Sequence, residues 1–294
     1  MTVTEKAYAK INLYLDVLGR CDDGFHDILS VMHSVNLSDA VTVSYESSDT
    51  TEITVTSSSP EVPTDKSNIV YRVAEKYLAA YELYGKIHIH IEKKIPIGAG
   101  LGGGSSDGAA TLRALYRIFG KGNLPELLEI SCSVGSDLPF CLLGGMFLCG
   151  GRGEKLKKLS FTPNFNFVIA IGKARISTPT AYSRLDKLNN NYVNYQGTPE
   201  SQMYKKMIYD MANNSGVSLP NYNAFEQVTD IDDVLKIKET MTKNGAETVL
   251  MSGSGPSVFC YCKDSRESEQ IRSALERCGF ESFATNSVYP EEFI

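Results

Sequence analysis

Six glycines fall between positions 98 and 108 of the segment PIGAGLGGGSSDGAATLRALYR, Pro96 to Arg117. A helical pattern of Ala, Leu and Arg follows them at once. Glycine costs folding entropy, so a run of this kind implies that something must approach the backbone closely. A loop of small residues opening into a helix presents unbonded N–H groups, and the positive end of the helix dipole, to an anion. Ser105 and Ser106 add hydroxyl donors where serine also caps well. A phosphate chain suits this chemistry. No lysine follows the glycines, so the GxxxxGK[ST] phosphate loop is absent. Gly98, Gly100 and Gly103 satisfy GxGxxG. The dinucleotide fingerprint, however, requires a second strand ending in an acid about 20 residues on, whereas GKGNLPELLEI starts another helix. A tight turn without a ligand is the bland alternative.

Several polar residues stand out against apolar surroundings. Asp137 lies in GSDLPF beside Leu138, Pro139 and Phe140, an unusual setting for a surface charge. Lys10 interrupts the apolar strand AYAKINLYL, and Asn12 shares its face by period two. Each has a structural alternative: a capped turn aspartate and a lysine snorkelling from a strand end. DGFH places Phe25 and His26 after the first strand, and SNIVYR places Asn68 at a helix start. Both His26 and Asn68 could simply cap. GSGPS, 253–257, is a second small-residue loop that either touches a ligand or only turns the chain. His88 and His90 in KIHIHIEKK share a strand face, but no third metal ligand is evident.

These residues need elements to hold them. AYAKINLYLDVLG reads as a strand ending at Gly19. AVTVSYE and TEITVTS alternate cleanly and suggest a hairpin. SNIVYRVAEKYLAAYEL has helical spacing, with Ile69, Val73, Tyr77 and Ala80 on one side and Ser67 as N-cap. KIHIHIEKKI is a strand with Ile87, Ile89 and Ile91 inward. LPELLEISCSVG is a short helix, and SDLPFCLLGGMFLCGGRGEKL is strand-like. NFNFVIAIG is a buried strand. Residues 187–222 are rich in Asn, Tyr, Ser and Gly, with a helical patch around Met203 to Met211. IDDVLKIKETMTKNG is helical, AETVLMSGSGPSVFCYC is strand, glycine turn and strand, and ESEQIRSALERCG is helical. Early strands followed by helix–strand alternation suggest an α+β protein of two domains, divided as 1–156 and 157–294.

The chain has 294 residues, is 42% hydrophobic and carries a net charge of −6. It is long enough to bury sizeable cores, and its acidity argues against a large nucleic-acid surface. Seven scattered cysteines without a CxxC pair suggest buried, reduced thiols. The first residues lack a signal-like apolar core, and no apolar run approaches membrane-spanning length. A cytoplasmic protein with no membrane partner is expected.

PIGAGLGGGSSDGAA closely resembles the nucleotide loop of the GHMP kinases (galacto-, homoserine, mevalonate and phosphomevalonate kinases). AKINLYLDVLGRCDDGFH, GSDLPFCLLGG and MSGSGPSVFCY match three further family motifs in order, so the resemblance spans about Ala9 to Tyr261. It implies a two-domain GHMP kinase fold with the active site in the cleft between domains. It implies ATP and Mg²⁺ as cofactors, with no protein ligand for the metal identified. The phosphates would lie on Pro96, Gly98, Gly100, Leu101, Gly102, Gly103, Gly104, Ser105 and Ser106, with Asn68 near the adenine. Asp137 would be the base at the acceptor hydroxyl, assisted by Lys10. DGFH resembles the segment of family members acting on cytidine diphosphate-linked methylerythritol. There Phe25 would stack on the cytosine, His26 would bond its edge, Tyr182 would complete the sandwich and Asn12 would reach substrate. Other GHMP kinases, such as homoserine or mevalonate kinases, are the nearest rivals. A non-catalytic RNA-binding protein of related layout is disfavoured by the acidic charge. The chain departs from the family pattern at Phe25, usually tyrosine, at Asp107, often asparagine, and at Ala224, commonly aspartate.

Overall fold

A computed structural model describes residues 1–159, 162–174, 177–192, 206 and 221–291. The helical patch expected around Met203 to Met211 lies outside the described residues, apart from position 206. Two long strands, β1 (Thr2–Arg20) and β2 (His26–Glu46), pair antiparallel through a tight connection at Gly24. Gly24 sits at φ 85°, where a side chain would be strained. The chain continues through β3 (Glu52–Ser57), α1 (Ile69–Ala80), β4 (Lys86–Glu92), α2 (Gly103–Phe119), α3 (Leu124–Cys132) and α4 (Leu138–Leu143). Then come β5 (Met146–Gly150), β6 (Lys155–Lys158), β7 (Asn166–Ile171) and α5 (Thr178–Leu188). A short β8 (Tyr222–Asn223) precedes α6 (Asp232–Lys243), β9 (Val249–Met251), β10 (Ser257–Cys262), α7 (Ser265–Arg277) and β11 (Glu281–Asn286). Among the described residues no helix is long and apolar enough to cross a membrane.

The mixed α+β architecture is the expected one, and the strands form two sheets. The first has seven strands, with β3-β4-β2-β1-β8 along its main path and β5 and β6 branching from β2. The second has the order β11-β7-β10-β9. Helices α1 to α4 cover one face of the first sheet, where Val70, Val73, Tyr77, Leu112, Leu115 and Phe140 meet Val41, Val43, Ile87, Ile89 and Ile91. Its other face packs on the second sheet through Ala9, Ile11, Leu13, Phe167, Ile169 and Phe259. Helices α6 and α7 close the far side with Val234, Ile237, Met241, Ile271 and Leu275. The alternation of side chains along β1, β4, β7 and β10 makes this layering: successive residues serve opposite faces.

Five local expectations change. β2 and β3 do not form a hairpin. β4 lies between them, antiparallel to β2 and parallel to β3, with α1 as the crossover. The alternating pattern was right, but pairing depends on which strand buries its isoleucines best. Asn68, not Ser67, caps α1, its Oδ1 accepting from the Val70 N–H at 3.0 Å, while Ser67 bonds Asp65. The buried face of α1 is Val70, Val73, Ala74, Tyr77 and Leu78, and Ala80 is outside it. Leu138–Leu143 is helical rather than strand-like, since Pro139 suits a first helical turn and Gly144 at φ 63° ends it. Cys21, Cys132 and Cys278 are exposed, so the thiols are free but not all buried.

Candidate active site

Lys10, Ile11 and Asn12 lie between two register shifts in the β1–β2 ladder, at Tyr8/Lys10 and Asn12/Tyr14. Such irregularities re-aim side chains, and here Lys10 and Asn12 share one face as their spacing requires. The Lys10 ammonium donates to Asn12 Oδ1 at 2.7 Å and sits 3.7 Å from Asp137 Oδ2. Asn12 Nδ2 donates to Ser30 Oγ at 2.8 Å, and Ser30 in turn donates to the Tyr14 carbonyl. Lys10 has only 5% of its surface exposed and Asn12 1%. A buried ammonium so held is a fixed positive charge rather than a flexible one. Asp137 occupies the N-cap position of α4, but its side chain makes no capping bond and one third of it faces the cleft. It is a carboxylate left available beside a buried cation.

The glycine loop leans against the same strand. The Lys10 N–H donates to the Leu101 carbonyl at 2.9 Å. Gly100 and Gly102 adopt φ 79° and 70°. A Cβ at Gly100 would lie 2.5 Å from the Ser252 carbonyl, and one at Gly102 2.8 Å from Lys10 Cγ. These two are therefore bare because the protein itself crowds them. Gly102 is the N-cap of α2 with no side chain to satisfy the helix's first N–H groups, so these point outward for an anion. Pro96 and every residue from Gly98 to Ser105 line a cleft of about 580 Å³, together with Asn68. Ser106 does not. It is buried, and its hydroxyl donates to the Tyr8 carbonyl at 2.6 Å, tying α2 to β1. Asn68 lines the cleft with both polar ends already engaged, Nδ2 donating to the Pro63 carbonyl and Oδ1 capping α1.

In the wall of this cleft Lys93 bridges two buried carboxylates, Asp39 at 2.5 Å and Asp107 at 2.9 Å. Burial pushes the Asp107 carboxyl up to about 8, against the pull of Lys93. Asp107 thus turns Oδ2 to Lys93, and both residues line the cleft. His88 and His90 bond Thr54 and Thr56 on the outer face of β3 and β4.

A second cleft, about 830 Å³, holds Lys10, Asn12 and Asp137, and Phe25, His26 and Tyr182 line it as well. Gly100, Gly102, Ser105 and Thr178 line both clefts, so the glycine loop is their common wall. Phe25 is half exposed, with the Arg152 guanidinium 3.8 Å from its ring centroid. His26 stacks on Tyr182 at 4.4 Å and 16° and bonds Asp186 at 2.7 Å through Nε2. The sandwich expected between Phe25 and Tyr182 is thus occupied here by the protein's own His26 and Arg152. Sequence reasoning missed Asp186 and Arg152. Asp186 follows Tyr182 by four residues on a helix, a spacing that could have flagged it; Arg152 sits in a glycine turn with no such signal. Gly253 and Ser254 line this cleft, and Ser254 Oγ lies 3.0 Å from Thr178 Oγ1. Asn223, also missed, donates to the carbonyls of Met251 and Gly253 and so shapes that turn. Its neighbour Ala224 is buried.

Residues 68–145 match the GHMP kinases N terminal domain and residues 209–281 the GHMP kinases C terminal family. A 4-diphosphocytidyl-2-C-methyl-D-erythritol kinase of Enterococcus faecalis is 36% identical over 94% of this chain and 95% of its own length. One from Caldicellulosiruptor saccharolyticus is 39% identical over 86% of each chain. A crystal structure of 4-(cytidine 5'-diphospho)-2C-methyl-D-erythritol kinase superposes with a TM-score of 0.78 at 29% identity, covering 97% of this chain and all of that one. With its glycine loop dividing two clefts and its motifs in the family's order, the chain belongs to the GHMP kinases, within the family of 4-diphosphocytidyl-2-C-methyl-D-erythritol kinases.

Proposed function

We propose that this protein transfers the γ-phosphoryl group of ATP to the 2-hydroxyl of 4-diphosphocytidyl-2-C-methyl-D-erythritol. The observation that carries the reading is the junction of the two clefts. A nucleotide on one side of the glycine loop and a polyol on the other would meet where Lys10 and Asp137 lie. The acceptor oxygen attacks the γ-phosphorus, the bond to the β-phosphate oxygen breaks and ADP leaves. Asp137 takes the hydroxyl proton. The Lys10 ammonium keeps that carboxylate oriented and offsets negative charge gathering at the attacking oxygen. The outward N–H groups of α2 hold the phosphates.

Although the chain is acidic, the acceptor cleft carries Lys10, Arg20, Arg152 and Lys187 against Asp137 and Asp186. That surplus of cations favours a substrate bearing a diphosphate. For its cytosine Phe25 would supply an aromatic face in place of Arg152, and His26, stacked on Tyr182, an edge. Mg²⁺ fits as an ion carried by the nucleotide. The described residues contain no group of three metal-ligating side chains, and Ser105 and Thr178 are hydroxyl residues lining both clefts. Bound there, it would screen phosphate charge. The division into units 1–156 and 157–294 belongs to the same reading, with the acceptor held between them.

Transfer of labelled γ-phosphate from ATP to this acceptor tests the proposal, with Asp137→Asn in parallel. Transfer by the wild type and a loss of at least about 10²-fold in the variant are expected. Undiminished transfer by the variant would remove Asp137 as base. Transfer to homoserine or mevalonate instead would overturn the substrate.

A further inference from the structure

We infer that Asp186 makes the acceptor cleft read cytosine rather than uracil, by fixing which nitrogen of His26 carries the proton; the inference rests on the cytidine reading above. Tyr182 and Asp186 stand one turn apart on α5 and hold the same imidazole in two ways. Tyr182 fixes its plane by stacking, and Asp186 Oδ1 fixes its edge, 2.7 Å from Nε2. Arg20 faces His26 across the β1–β2 ladder and sits 3.7 Å from the other carboxylate oxygen. Asp186 is only 9% exposed, so its two oxygens are committed to these two partners.

An ionised carboxylate has no proton to give, so His26 Nε2 must be the donor. In the neutral imidazole Nδ1 then keeps a free lone pair. Nδ1 has no hydrogen-bond partner among the described residues, and the ring lines the acceptor cleft. A lone acceptor at that point pairs with the exocyclic amino group of cytosine. Uracil presents a carbonyl oxygen at the same position, and two acceptors would face one another. Discrimination thus comes from repulsion of the wrong base as much as attraction of the right one. An asparagine at 186 relaxes this rule, because its amide can donate to Nε2 and let Nδ1 carry the proton instead.

Binding of CDP and of UDP, measured by calorimetry on the full chain, tests the idea with wild type and Asp186→Asn. The wild type should favour CDP by about tenfold or more. In D186N the ratio should fall towards one, CDP losing affinity while UDP is spared or gains. Equal weakening of both ligands would mean that Asp186 merely supports α5, and overturns the inference. A retained preference in D186N overturns it too, while leaving the cytidine reading intact. A wild type that binds CDP no better than UDP overturns the cytidine reading itself. Long-range ¹H–¹⁵N spectra of the wild type give a second readout, tractable with four histidines in the chain. Neutral His26 should be protonated on Nε2. Protonation on Nδ1 would overturn the inference even if D186N failed to fold.

Discussion

Among the described residues Lys10 bonds Asn12 and pairs with one charged group, Asp137, so its removal should act on chemistry more than on nucleotide binding. Lys10→Met keeps the stem's bulk but strips the cation from Asp137. Steady-state kinetics should show kcat falling by roughly 10² with KM for ATP little changed. At Asp107 the effect runs through stability. Its carboxyl titrates near 8 when folded, chiefly because it is buried, against about 3.9 in an unfolded chain. Between those values folding must take up a proton, so the cost of this group grows as pH rises from about 4 to about 8. The melting temperature of Asp107→Asn relative to wild type should therefore be higher at about pH 8.5 than at about pH 5. An unchanged difference would show that Asp107 is ionised in the fold. Lys10, Asn12 and Asp137 were legible as polar intrusions into apolar sequence. The commitment of Ser106 to Tyr8 was not, because it depends on a backbone carbonyl brought near by folding, whereas the local Asn68 cap was one of the two readings its sequence allowed.

The glycine loop is a feature of elements rather than of single residues. It must pass between β1 and the β9–β10 turn, and Gly100 and Gly102 take conformations that side chains resist. Gly102→Ala should cost about 1–2 kcal/mol of stability. Because the new methyl would press on the Lys10 stem, kcat should also fall, in the direction expected for the Lys10 variant. Equilibrium unfolding and kinetics on one preparation check both halves. Existence of the elements was largely readable from periodicity, as with the isoleucines of β4. Their partners were not. β3 and β4 pair in parallel only because α1 carries the chain over the sheet.

Across the whole molecule the two sheets meet at a buried histidine. His33 of β2 bonds Ser287 Oγ at 2.7 Å and is ringed by Phe165, Phe167 and Tyr289 from the second sheet's side. Burial pulls its pKa down to about 4, from about 6.5 unfolded. The folded state therefore holds it neutral. Its contribution is complete above about pH 6.5 and is lost as pH falls towards 4, amounting to about 3 kcal/mol. Urea midpoints at about pH 7 and about pH 4 should show that drop, and His33→Asn should flatten it. The sequence by itself determined the α+β class, the phosphate-seeking loop and the residues able to handle a proton, because these follow from local periodicity and from polar groups set among apolar ones. Only the tertiary structure decided that the loop is a wall between two clefts, that Arg152 covers Phe25, and that Asp186 holds His26. Those contacts join residues more than a hundred positions apart, and no local pattern records a pairing that the packing of two sheets creates.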